Sequence, residues 1–265
     1  MTLWLLGYAV LGAVAGFFAG LLGVGGGAIM VPVLALMFAA QGFPEAHLMH
    51  LALGTSMAAI IFTSISSLRA HHGHGAVRWP IVRIIAPGIL VGTFAGAQLA
   101  SIVPTRPLAI FFTLFMSYVA FQMLANIKPK PSRQLPGTFG MFVVGSGIGA
   151  VSALVAIGGG SLSVPFMTWC NVKMHEAIGT SAAIGFPIAV AGTLGYLVGG
   201  WGAGGLPVWS FGYVYLPALA ACVVVSMLTA PLGAKAAHNL PVATLKKIFA
   251  GVILLLLAKM VHGLF

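Results

Sequence analysis

The segment from Gly20 to Leu34, GLLGVGGGAIMVPVL, returns in altered form 133 residues later as ALVAIGGGSLSVPFM, from Ala153 to Met167. At that offset Gly12, Gly16, Gly25, Gly26, Gly27, Val31 and Pro32 fall on Gly145, Gly149, Gly158, Gly159, Gly160, Val164 and Pro165. A second echo follows each copy, His50-x-Ala52-x-Gly54-Thr55-Ser56 against His175-x-Ala177-x-Gly179-Thr180-Ser181. A third closes each half, Gly96-Ala97 and Pro104 against Gly233-Ala234 and Pro241. The chain therefore reads as a duplicated unit of about 120 residues, and such a period decides the architecture before any single segment does.

Composition says which solvent the duplicated unit meets. Of 265 residues, 60% are hydrophobic and only 5% charged, against roughly 25% charged in soluble domains. Such a chain cannot dress a water-facing surface, and the lipid bilayer is its medium. Aspartate is absent, and Glu45 and Glu176 are the only acids. The formal charge of +10 would suit a nucleic acid. The basic residues, however, sit between apolar segments, where they set membrane orientation, so no nucleic-acid partner is expected. Cys170 and Cys222 lie in or beside apolar stretches without CxxC spacing, which argues against a disulfide or a metal. His71, His72 and His74 lack cysteine or acid partners and read as a solvated loop, not a metal tract. GSGIGA, from Gly145 to Ala150, fits a dinucleotide fingerprint only formally, because no strand precedes it. No serine stands at a nucleophile-elbow spacing with a histidine and a carboxylate. No enzyme activity, catalytic residue, cofactor or metal is expected.

Apolar segments run roughly 3–22, 28–40, 49–68, 80–101 and 105–126, then 138–156, 161–170, 177–199, 211–234 and 247–264. Most approach the ~20 residues of a spanning helix. Segments 28–40 and 161–170 do not, reaching about 20 and 15 Å as helices, and each follows a glycine cluster. Short, glycine-interrupted segments at matching positions of two repeats point to discontinuous helices around a transport site. The expected fold is an all-α integral membrane protein of two inverted-topology repeats. Each repeat holds about five helical segments, with short broken or re-entrant helices after the glycine clusters. The boundaries read as a first repeat over 1–127, a cytoplasmic linker over 128–137 and a second repeat over 138–265.

Loop charges orient the repeats. With the N- and C-termini outside, the inner side holds Arg69, Arg78, Arg83, Lys128, Lys130, Arg133, Lys173, Lys235, Lys246 and Lys247, leaving Arg106 and Lys259 outside. That arrangement obeys the positive-inside bias of an inner (plasma) membrane protein. Loop 69–83 carries three arginines, whereas its counterpart 200–210 carries no charge. Opposite bias in equivalent loops means that the halves sit upside down to each other.

The candidate site follows from the breaks. Helices that begin after Gly25, Gly26 and Gly27, and after Gly158, Gly159 and Gly160, start with unpaired N–H groups. Such an N-terminus is ready to receive an anion. Ser161 and Ser163 add hydroxyls in the second copy only. Thr55, Ser56, Thr180 and Ser181 lie just inside the next helix of each half, where they can bind substrate or bond back to their own helix. Pro32 and Pro165 mark the helix breaks. His50, His175 and Glu176 are the ionisable groups near the path, and histidine titrates close to neutral pH, so a proton-coupling role is open to them. Headgroup-facing histidines are the plainer reading.

The paired GxxGxGGGxxxVP and GxxSxLxxIGGGSLxVP elements, each followed by a Gly-Thr-Ser helix, resemble the TauE/SafE sulfite exporter family of bacterial and archaeal permeases. The resemblance spans about 5–262. It implies a polytopic inner-membrane transporter with an internal repeat, associated with efflux of sulfite and of organosulfonates. It also implies that Gly25–Gly27, Pro32, Gly158–Gly160, Pro165, Thr55, Ser56, Thr180 and Ser181 are the elements that matter. The expected function is a secondary transporter exporting a small anionic sulfur compound by alternating access. The alternatives are an anion channel, or the same fold carrying thiosulfate or a small carboxylate. A homo-oligomer is compatible with the sequence.

Overall fold

A computed structural model describes residues 2–22, 26–125, 132–239 and 242–264. Gly25 and the linker residues Lys128 and Lys130 lie outside the described residues. The chain is nearly all helical, in the order α1 (Thr2–Leu22), α2 (Gly27–Ala40), a one-turn 3-10 helix (Glu45–His47), α3 (Leu48–Gly73), α4 (Trp79–Ile102) and α5 (Thr105–Leu124). There follow α6 (Thr138–Val155), α7 (Gly160–Trp169), α8 (Met174–Gly199), α9 (Leu216–Asn239) and α10 (Val242–Leu264). Seven helical stretches among the described residues are long and apolar enough to cross a membrane. With 14 and 10 residues, α2 and α7 would each cover only about half to two-thirds of a ~30 Å hydrocarbon core.

One element departs from expectation. The apolar run from 211 does not begin as helix. Ser210–Phe211 (β1) and Val214–Tyr215 (β2) pair antiparallel around a turn at Gly212, whose φ is 53°. Trp209 also takes a positive φ of 72°. These left-handed residues cannot continue a helix, so α9 starts only at Leu216.

The two halves pack by exchange. α1 lies parallel along α9 and α6 parallel along α4, each through a glycine face. A Cβ on Gly12 would strike the Cys222 backbone, and one on Gly145 the Ile85 backbone; Gly16 meets Ser226 as Gly149 meets Ile89. Without side chains there, the backbones approach closely, which is how membrane helices gain packing energy. α3 and α8 pair antiparallel at the centre: Gly54 near the start of α3 faces Tyr196 near the end of α8, and Met57 faces Gly192. A pairing in which each half gives the other what it receives is the signature of a two-fold relation. Antiparallel α3 and α8 put that axis across the helices, consistent with the inverted repeats expected.

α2 folds back along α1, with Gly26 beside Ala15 and Met37 beside Gly7. The end of α7 returns to the start of α6, where the amides of Ser132 and Arg133 donate to the Trp169 carbonyl, both at 3.2 Å. Each half thus opens with two helices folded back on one another, and Gly26 and Gly159, where the second helix of each pair begins, lie inside the bundle. One end of the bundle carries the β-hairpin, the α2–α3 and α4–α5 connections and the end of α10. The other carries residues 132–137, the α3–α4 turn and the start of α8. Residues 73 and 203 fall at opposite ends.

Candidate substrate site at the crossing of two broken helices

Gly26 and Gly159 create the two breaks. Their φ values are 77° and 85°, a left-handed conformation that costs an ordinary L-residue about 1–2 kcal/mol. From there the chain turns directly into α2 and α7, and no side chain caps either helix. The Gly26 carbonyl accepts from Ile29 and Met30, and that of Gly159 from Leu162 and Ser163, so the first turns are tightly wound. Pro32 and Pro165 do not make the breaks. Each sits at the sixth position inside a continuous helix, where its missing N–H leaves the carbonyl four residues earlier, of Ala28 and Ser161, without its helical donor.

Both breaks lie against the middle of a long helix. Gly27 packs on the Ala156 carbonyl and on Ile60, halfway along α3. The Gly158 carbonyl sits 2.8 Å from where a Cβ on Gly185 would stand, halfway along α8, and Gly159 abuts Ile188. The contact between Gly27 and Ala156 brings the first break against the end of α6, so the two interruptions meet in the depth of the bundle. Ala156 itself takes a left-handed φ of 46°. Gly160 is buried with them.

Most of the hydroxyls around this crossing are left unpaired. Elsewhere Ser64, Thr113 and Thr193 bond back to carbonyls of their own helices at 2.7–2.9 Å, the ordinary fate of such groups in an apolar helix. Ser163 does the same, donating to the Gly159 carbonyl at 2.8 Å. Ser56, Ser161 and Ser181 have no partner although all are buried. Ser56 and Ser181 lie one turn from Ile60 and Gly185, and Ser161 is the second residue of α7. Ser152, one turn before Ala156, is likewise buried and unpartnered. The duplication does not mark it, because Ala19 stands at the matching position 133 residues earlier; the serine of GxxSxLxxIGGG was its signal in the sequence. Ser67 and Thr93 are unpartnered too, farther along α3 and α4.

Thr55 and Thr180 do different work from the serines beside them. The Tyr215 amide donates to Thr55 Oγ1 at 2.9 Å, and the Arg78 amide to Thr180 Oγ1 at 3.0 Å. Gly54 and Gly179 make room for the carbonyls of Tyr213 and Ala76. In each half, Gly-Thr grips the segment that leads into a helix of the other half, at opposite ends of the bundle.

The ionisable candidates divide. His50 is buried at the β-hairpin end, its ring 4.9 Å from that of Tyr213. Its Nε2 lies 3.0 Å from the Val103 carbonyl, which can only accept, so that nitrogen carries the proton. His175 is exposed at the other end. Glu176 meets Arg78 side by side, Nε to Oε2 at 3.0 Å and Nη2 to Oε1 at 3.2 Å, reinforcing the Thr180 grip. No lysine or arginine is buried among the described residues, and no group of three or more metal-binding side chains occurs among them.

The family model described as Sulfite exporter TauE/SafE matches residues 8–260. A "Probable membrane transporter protein" of Haemophilus influenzae is 39% identical over 246 residues, covering 91% of this chain and 92% of that one. A Bacillus subtilis relative, "Probable membrane transporter protein YdhB", is 28% identical over 239 residues, 87% and 89% of the two chains. One from Xylella fastidiosa is 31% identical over 191 residues, 70% and 69%. No solved structure matches. The chain belongs to the TauE/SafE sulfite exporter family of multi-span membrane transporters.

Proposed function

We propose that this transporter exports a small, singly charged sulfur oxyanion, such as sulfite in its monoanionic form or an organosulfonate, by alternating access between two inverted halves. One observation carries the reading. The two helix breaks meet mid-bundle, Gly27 against the Ala156 carbonyl, and each leads into an uncapped helix among buried hydroxyls that have no protein partner. Leaving a buried polar group unpaired costs about 1–3 kcal/mol, so Ser56, Ser161 and Ser181 are poised to donate to a ligand. Each N-terminus contributes roughly half an elementary charge. The pair offers about one, enough to hold a monoanion and loose enough to release it. Gly26, Gly27, Gly158, Gly159 and Gly160 let the backbone approach the cargo, and Gly25 belongs to the same cluster.

The repeats, 1–127 and 138–265, are joined by the linker 128–137 on the cytoplasmic side. Arg69, Arg78, Arg83, Arg133, Lys173, Lys235 and Lys247 lie at that end of the bundle, and Arg106 and Lys259 at the other, the asymmetry that positive-inside orientation demands. Both termini then face outward. The Gly-Thr grips serve as alternating closures, one for each side.

The test is sulfite and sulfonate flux in proteoliposomes. Ser56→Ala, Ser161→Ala and Ser181→Ala should each slow transport without reducing membrane insertion. Ser163→Ala, whose hydroxyl is already occupied, should leave transport near wild type. Equal flux in all four variants would remove the hydroxyls from the site. Counterflow driven by substrate on the far side separates a carrier from a channel.

A further inference from the structure

A second site lies far from the crossing. At the β-hairpin end a cavity of about 710 Å³ opens between the end of α2, the 3-10 helix, the start of α5 and Gly263 near the end of α10. That volume is within the roughly 300–1,000 Å³ typical of small-molecule sites. Phe43, Leu48 and Ala109 give it apolar walls, while Glu45 and Arg106 bring one charge of each sign. The Thr105 hydroxyl donates to the Ala46 carbonyl at 2.6 Å and ties the two charged walls together. Among the described residues, Glu45 and Arg106 nevertheless make no ion pair with each other or with a neighbour. The one ion pair among the described residues is Arg78–Glu176, at the opposite end.

Two uncompensated, opposite charges on one cavity select against a simple anion, because the Glu45 carboxylate would repel it. They match a zwitterion whose phosphate meets the Arg106 guanidinium and whose ammonium meets the Glu45 carboxylate. The cavity sits at the end of spanning helices, the level of lipid headgroups. Below it, Ile110 and Leu114 of α5 are exposed, an apolar strip where acyl chains can lie. We propose that this cavity binds the headgroup of phosphatidylethanolamine. The primary ammonium has N–H donors for Glu45, which a choline headgroup lacks. Arginine suits the phosphate as a planar fork of donors.

Native mass spectrometry of the purified transporter with dihexanoyl lipids tests the assignment. Phosphatidylethanolamine should bind more tightly than phosphatidylcholine or phosphatidylglycerol. Arg106→Gln should weaken it by about tenfold, the loss of one charge-assisted hydrogen bond. Glu45→Gln should erase the preference over phosphatidylcholine while leaving phosphatidylglycerol binding intact or improved. Soluble glycerophosphoethanolamine should bind far more weakly, because it lacks chains for the α5 strip. Both side chains are exposed, so the substitutions should change stability little, and circular dichroism of each variant checks that it folds. Equal binding of all three lipids, a preference that survives both substitutions, or binding of the soluble headgroup as tightly as the lipid would overturn the assignment.

Discussion

Thr55→Val isolates one of the two proposed closures. Valine nearly matches threonine in shape, so the substitution opens no cavity; it removes the oxygen that accepts the Tyr215 amide at 2.9 Å. The amide is buried and would be left without that acceptor. Measured hydrogen bonds between membrane helices average about 0.6 kcal/mol and reach about 1.7. Opening at the β-hairpin end should therefore become favoured by between about threefold and twentyfold, at 1.4 kcal/mol per factor of ten. Hydrogen–deuterium exchange of peptides covering 213–216 reads that opening directly, since protection follows local unfolding free energy. Thr55→Val should raise exchange there by that factor and leave 76–79 unchanged. Thr180→Val, which frees the Arg78 amide, should do the reverse. Thr55→Ser, which keeps the hydroxyl, should behave as wild type. If Thr55→Val left 213–216 as protected as before, or if either valine loosened both ends equally, the two grips would not be independent closures.

Two further outcomes bear on the frame. Gly27→Ala should prevent the breaks from meeting, because its methyl would occupy the position of the Ala156 carbonyl. Gly159→Ala should lower the melting temperature through its left-handed backbone, at about 1–2 kcal/mol, and through contact with Ile188; thermal unfolding in detergent measures both. Cysteines introduced at 73 and 203 should react with impermeant maleimide from opposite sides of the membrane, 203 from outside.

The duplication, the short helices and the central place of the glycine breaks were legible because each leaves a mark in residue spacing. Loop charge also oriented the ends in a way the bundle accommodates, with residues 73 and 203 far apart. What spacing could not separate is the two hydroxyls of Gly-Thr-Ser. Adjacent residues on a helix point about 100° apart, so Thr55 and Ser56 face different neighbours. Tyr215, the neighbour of Thr55, lies 160 residues away along the chain, while Ser56 faces the interior with no partner. The same limit hid the division between His50 and His175. They occupy matching positions, yet one is covered by Tyr213 of the β-hairpin while the other half supplies no such cover. Pro32 and Pro165 looked like helix breakers, but the glycines before them had already made the turn.

That inequality should make the two proposed closures respond differently to solution conditions. At the β-hairpin end the Thr55 bond is buried beside His50 and Tyr213, with no ion pair in the grip. At the other end the Thr180 bond is backed by Arg78–Glu176, whose arginine is half exposed. An exposed pair is worth at most about 1 kcal/mol, and salt weakens it: the Debye length falls from about 10 Å at 0.1 M to about 3 Å at 1 M. Raising ionic strength over that range should increase exchange at 76–79 by up to about fivefold, the whole value of the pair. It should leave 213–216 unchanged. Glu176→Gln should abolish the salt effect and reproduce the high-salt exchange at low salt. A salt response at both ends, or one that persists in Glu176→Gln, would mean that the ion pair does not set the closure. On the proposed alternating-access reading, the closure at Thr180 carries an added electrostatic latch that the closure at Thr55 lacks, so ionic strength on its side would bias which way the empty transporter faces.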